Sequence, residues 1–155
     1  MYTYEYPHPA VTADAVVFGF DGKSLNLLLI NRGIEPYKGS WALPGGFINM
    51  NETAEDGALR ELKEETGVDD IYLEQFHTFT AVDRDPRERV MTIAFLAFIR
   101  QDDYSVVAGD DAAKAQWYPV DKLPELAFDH KEIIQIALDK LRWKIMYEPL
   151  VFHLL

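Results

Sequence analysis

Two apolar stretches open the chain. Residues 12–20 are rich in Ala, Val and Phe, and residues 25–31 contain the unbroken run Leu27-Leu28-Leu29-Ile30. Asp21-Gly22-Lys23-Ser24 between them is a turn signal, so a β-hairpin is predicted. The apolar run is too short for a helix and reads as a buried strand. Residues 41–47 form another short strand, broken by Pro44, Gly45 and Gly46. Residues 53–66 carry a helical pattern with Ala58, Leu59 and Leu62 on one side. Thr53 with Asp56 makes a capping-box-like start, and Gly67 is the stop. A strand follows at about 71–78, then a charged loop over 81–89. Residues 90–99 are the longest buried-strand candidate, and 101–113 are an acidic loop. Residues 116–120 contain Pro119 and so predict a short edge strand. From residue 129 or 130 to about 147, Ile133, Ile134, Ala137, Leu138, Leu141 and Ile145 recur with helical period. The order β-β-β-α-β-β-β-α predicts an α/β (α+β) fold with a mixed sheet and helices on its faces. With no repeat or linker, residues 1–155 are expected to form one domain, residues 1–10 of it an extended arm.

Composition narrows the function classes. Hydrophobic residues make up 48% of the 155, enough for a full core. No apolar run approaches the ~20 residues that span a bilayer, and the N-terminus lacks a signal-peptide pattern. The chain has no cysteine, which excludes disulfides, thiolate zinc sites and a cysteine nucleophile, and fits the cytoplasm. The net charge of −11 disfavours binding to nucleic acid. It also repels a free nucleotide, so an anionic substrate needs a metal ion or a local basic patch.

The helix over 53–66 holds the densest chemistry. At about 100° per residue, Glu61, Glu64 and Glu65 share an arc of roughly 100°. Gly57 lies on that arc one turn earlier, at a cost of ~1 kcal/mol against alanine, and a ligand or ion approaching the arc explains it. Arg60 can pair with Glu64 one turn on. Clustered oxygen ligands suit Mg²⁺ or Mn²⁺, which also bridge phosphate oxygens.

Residues 46–68 resemble the Nudix box. The fixed positions are occupied by Gly46, Glu52, Arg60, Glu61, Leu62, Glu64, Glu65, Gly67 and Val68. The resemblance implies an α/β/α sandwich and metal-dependent hydrolysis of a nucleoside diphosphate linked to another group. It implies Glu61, Glu64 and Glu65 as metal ligands, joined by a carbonyl at Gly45 or Gly46. It makes Arg60 and Glu52 the groups that orient the carboxylates. Glu61 is one candidate general base, and a loop acid such as Asp85 or Glu88 is another.

Outside the box, residues 7–14, 84–87, 126–130 and 147–155 resemble the ADP-ribose pyrophosphatase group related to Nudix regulators of NAD metabolism. Those regulators carry a winged-helix DNA-binding domain after the Nudix domain and tend to lose box carboxylates. The complete box, and a chain ending where that domain would start, favour an enzyme. Arg84, Arg87 and Arg89 are candidate phosphate contacts because guanidinium forks match phosphate oxygens. Each has a solvated alternative, paired with Asp83, Asp85 or Glu88. Arg32 brackets the preceding loop. Trp41, Phe47 and Tyr37 are candidates to stack a base, Trp41 also fitting the core. His130 reads as a capping or packing residue and Asp129 as an N-cap. The aromatic arm suggests a homodimer.

Overall fold

The computed structural model describes residues 1–109 and 112–148. The readings placed on 110–111 and 149–155 lie outside the described residues. The hairpin strands β1 (Ala10–Phe20) and β2 (Leu25–Arg32) pair only near their turn, from Phe18 opposite Leu27 to Phe20 opposite Leu25. Beyond that they splay. The strand expected over 41–47 is two strands that line the gap. β3 (Trp41–Ala42) pairs with β2 and β4 (Gly45–Phe47) with β1. Pro44 lies at the break, where it lacks the N–H needed to continue a ladder. Its carbonyl instead accepts from Ala15 N–H at 2.9 Å.

The helix α1 (Ala54–Thr66) follows, then β5 (Glu74–Phe79), β6 (Val90–Arg100), a 3₁₀ turn at Gln101–Asp103, β7 (Ala112–Pro119) and α2 (His130–Tyr147). β6 lies parallel to β1 along its whole length, and β5 lies antiparallel to β6 at the edge. β7 pairs with the other side of β2, with Pro119 in its last position as an edge strand allows. β5 begins later than expected because Ile71 and Leu73 pack into the core instead of pairing.

Strand alternation assigns the two faces. Ala13, Ala15, Val17, Phe95 and Ala97 pack with Ala58 and Leu62 of α1. Val16, Phe18, Leu29, Ala94 and Leu96 pack with Ile133, Ile134, Ala137 and Leu141 of α2. The expected α/β/α layering is present. Fully burying one such leucine contributes about 2 kcal/mol.

The α2 stripe departs from expectation at its end. Ile145 is exposed and Leu138 only half-buried, while Lys144 is buried. The aliphatic stem of Lys144 continues the stripe, and its ammonium meets Glu148 at 3.0 Å and pairs with Glu74 of β5. No helix among the described residues is long and apolar enough to cross a membrane.

Candidate active site

The gap between β1 and β2 opens into a cleft of about 360 Å³, within the range of small-molecule sites. α1 supplies its acidic side. Thr53 starts the helix in extended geometry, its hydroxyl accepting from Asp56 N–H at 3.1 Å. Gly67 ends it at φ 77°, a left-handed conformation that glycine adopts without strain. Segment 105–109 then covers the helix end, with Val107 N–H reaching Thr66 O at 2.8 Å.

Arg60 is the hub of the box. It reaches Glu52 at 2.7 and 3.0 Å, Glu61 at 2.8 Å, Glu64 at 3.2 Å and the Phe47 carbonyl at 3.1 Å. The expected pairing with Glu64 is present, and two more acids share it. Glu52 is held down to about 2 by the Arg60 hydrogen bonds and by Asn49 N–H. Gly57 does not leave an opening for a ligand, contrary to expectation. A Cβ there would lie 3.0 Å from Glu52 Oε1 and 3.5 Å from Ile48, so the glycine makes room for the Glu52 carboxylate. Gly46 clears space for Glu61 in the same way, since a Cβ would lie 2.6 Å from its carboxyl carbon.

Glu65 is different. It is buried, and its Oε1 accepts from Gly45 N–H at 2.8 Å. Burial pushes its carboxyl up to about 8, against the Gly45 hydrogen bond and with help from the charges of Glu61 and Asp14. Burial also raises Glu61, opposed by Arg60. Glu61, Glu65 and the backbone of Gly45 and Gly46 line the cleft; Glu64 does not, and its side chain is 41% exposed. Among the described residues, no three His, Asp or Glu side chains already converge as a metal cage.

Sequence reasoning missed Asp14. It is buried in β1, and its Oδ2 accepts from the Thr92 hydroxyl at 2.6 Å. The signal was available: a carboxylate inside the apolar run Ala13-Asp14-Ala15-Val16-Val17 requires partners in a core. His130 faces it from α2. Its Nδ1 accepts from Leu43 N–H at 3.0 Å, and its Nε2 lies 3.9 Å from Asp14 Oδ2. Burial lowers the His130 pKa.

The opposite side is cationic and aromatic. Arg84 is buried and forks onto Asp129 at 2.7 and 2.9 Å. Asp129 thus ties the 81–89 loop to α2, and its side chain does not cap the helix. Arg87 forks onto Asp85 at 2.8 and 3.0 Å and lies over the rings of Phe47, at 4.9 Å, and Phe128. Burial pushes the Asp85 carboxyl up, but Arg87 outweighs it and holds Asp85 below the usual range. Arg32 donates to Pro36 O at 2.7 Å and lies 5.0 Å over Phe128. Phe128 is another residue that sequence missed. It sits at φ 51°, its ring against Tyr37 at 4.7 Å.

Trp41, Tyr37, Arg89 and Glu88 do not line the cleft. Trp41 is half-buried and packs edge-on against Tyr118 at 4.9 Å beside the α2-side core. Arg89 turns back to Ala81 O at 3.1 Å. Arg32, Arg84, Arg87 and Phe47 do line the cleft.

A sandwich with a glycine-backed glutamate helix at a split sheet defines a class, and the sequence agrees with it. Residues 8–136 match the NUDIX domain family. The chain belongs to this family and is a Nudix pyrophosphohydrolase. It is 41% identical to the ADP-ribose pyrophosphatase of Methanocaldococcus jannaschii over 90% of the chain and 77% of the relative. It is 34% identical to the ADPR responsive transcriptional repressor NtrR of Acinetobacter baylyi, over 97% of the chain but only 62% of that protein. The NUDIX domain of Shewanella oneidensis NrtR, solved with ADP ribose, superposes with a TM-score of 0.80 at 33% identity, covering 88% of this chain and 90% of that one.

Proposed function

We propose that this cleft hydrolyses ADP-ribose to AMP and ribose 5-phosphate with the help of Mg²⁺ or Mn²⁺. The observation that carries the reading is the buried Glu65 carboxylate, with Glu61 and Asp14 beside it, facing an arginine and aromatic wall in one cleft. The names of the 41%-identical relative and of the NrtR domain solved with ADP ribose support the choice of nucleotide.

The donor set fits a hard divalent cation. Carboxylate oxygens are its preferred ligands, and adjacent buried acids are relieved by positive charge. Glu61, Glu65 and the Gly45 carbonyl would hold it, with Glu64 joining if Arg60 releases it. A bound cation supplies charge neutralisation of the pyrophosphate and a coordinated water of lowered pKa. The chain's residues do the rest. Arg60 and Glu52 orient Glu61. Glu61 faces the cleft and is the candidate base, whereas Arg87 holds the Asp85 carboxyl low, which weakens it as a base. Arg32, Arg84 and Arg87 border the diphosphate, and the exposed ring of Phe47, which has Arg87 on one face, offers the other to a base. Water adds to one phosphorus, the bridging P–O bond breaks, and its oxygen leaves on the other phosphate.

On this reading residues 1–155 act as one domain in the cytoplasm. The exposed rings of Tyr2, Tyr4 and Tyr6 suit contact with a second copy in a homodimer. The test is a panel of ADP-ribose, nucleotide sugars, dinucleoside polyphosphates and oxidised nucleoside triphosphates, each with Mg²⁺, Mn²⁺ or EDTA. AMP formed from ADP-ribose and abolished by EDTA is the expected result. Preferred turnover of another compound overturns the substrate. The repressor relative motivates a second reading, an ADP-ribose sensor without turnover. Binding of ADP-ribose with no AMP released would establish it.

A further inference from the structure

His130 is more than nine-tenths buried yet borders the cleft. Its Nδ1 accepts the Leu43 N–H, which assigns the ring proton to Nε2. Among the described residues that Nε2–H has no hydrogen-bond acceptor. The nearest acid atom, Asp14 Oδ2, is 3.9 Å away, too far for a direct bond. Among the described residues Asp14 Oδ2 accepts one hydrogen bond, from Thr92, which leaves it a second lone pair. A donor and an acceptor therefore face each other across a gap that one oxygen atom can bridge. Two bonds of about 2.8 Å each meet across such a span at roughly a right angle.

The gap discriminates between chemical groups. A phosphate oxygen would satisfy Nε2–H but face the Asp14 carboxylate, and a cation would satisfy Asp14 but face the N–H. A hydroxyl accepts from one and donates to the other. Water has the same chemistry. Leu43 and Phe128, however, also border the cleft beside this pair, and apolar surface of that kind suits the face of a sugar ring.

We propose that His130 and Asp14 form a subsite that reads one sugar hydroxyl of the substrate. His130 donates to that hydroxyl and Asp14 accepts from it. Thr92 and Leu43 N–H hold the two side chains in place. His130 is then a specificity determinant, fixed as a neutral donor because protonating Nδ1 would break its bond to Leu43. This rests on the reading that the substrate is a sugar-linked nucleoside diphosphate.

The test compares ADP-ribose with analogues that each lack one ribose hydroxyl, using wild type, His130→Leu and His130→Gln. In wild type, one analogue is expected to lose about 10- to 100-fold in kcat/KM and the others little. In His130→Leu, which cannot donate, that penalty falls below about 3-fold. In His130→Gln, which keeps an N–H, it persists. All analogues within about 3-fold of ADP-ribose in wild type would overturn the proposal, and this comparison needs no variant to fold. A penalty of equal size in wild type and His130→Leu overturns it too. So does a uniform fall in kcat with no change in selectivity, which would assign the gap to water. Absence of any ADP-ribose turnover by wild type counts against the preceding substrate assignment instead. The same comparison then runs on deoxy analogues of whichever nucleotide sugar the panel selects, with the same criteria.

Discussion

The two sides of the cleft handle charge in opposite ways. On the α1 side, Arg60 gathers Glu52, Glu61 and Glu64, while Glu65 one turn away forms no ion pair among the described residues and is pushed up to about 8 by burial. On the other side every cleft arginine is already engaged. Arg84 is forked on Asp129, Arg87 on Asp85, and Arg32 is held by Pro36 O. The acidic side therefore holds a buried acid whose ionisation a bound cation would favour. On the basic side Arg84 and Arg87 are neutralised by their own carboxylates, while Arg32 keeps its charge. Its arginines gain from shape and fixed forks more than from net charge, as expected in a chain of net charge −11.

The largest effect is expected from Glu65→Gln. Turnover should fall by about 10³-fold or more, because the substitution removes the buried anionic ligand at unchanged size. Stability should move the other way. The folded-state pKa of Glu65 is raised, so its contribution is fully present below the ordinary value of 4.5 and is lost as pH rises towards 8. In EDTA, wild type should lose on the order of 4 kcal/mol from this group across that window. Glu65→Gln should lack that loss. Parallel Tm-versus-pH curves for the two proteins would refute the contrast between the two sides.

A middle effect is expected from Arg87→Ala. It leaves the Asp85 carboxylate buried without its fork and uncovers Phe47 and Phe128. KM for ADP-ribose should rise about tenfold with a smaller change in kcat, and Arg87→Lys should not restore it, since an ammonium cannot fork and stack at once. A KM within twofold of wild type in steady-state assays would show that this side does not touch substrate. The smallest effect is expected from Arg89→Ala, whose side chain turns back to Ala81 O. Its kcat/KM should stay within about twofold of wild type. A tenfold loss would return Arg89 to the cleft.

What could be read in the sequence was local. The hairpin, the Thr53 cap, the Gly67 stop and the box each depend on residues within a turn or two of one another. The layering followed from strand and helix order. What could not be read depends on distant pairing. Nothing local announces that β1 and β2 part after three residue pairs, or that β3 and β4 divide the gap. That separation brings Asp14, Gly45 and Glu65 together, and it turned an acid in a strand into a site residue. Gly57 was misread because Glu52 folds back from outside the helix. Arg84 and Asp129 lie 45 residues apart in the chain, so no spacing rule links them. Ile145 follows the helical period, yet Lys144 takes the buried place, its ammonium accepted by Glu74 of the distant β5 and by Glu148 one turn on.

The parting of β1 and β2 has a further consequence at residues 33–40. Gly39 N–H bonds to Arg32 O and Arg32 N–H to Ser40 O, both at 2.8 Å. The excursion is therefore clasped at its base, and the sheet resumes at Trp41 whatever the route between. Such a closed loop behaves as an exchangeable cassette, because lengthening it adds only about 0.6 kcal/mol of closure entropy per doubling. Gly33 and Ile34 of this segment border the cleft, and Tyr37 braces Phe128. The rim of the site can thus diversify independently of the helix that does the chemistry.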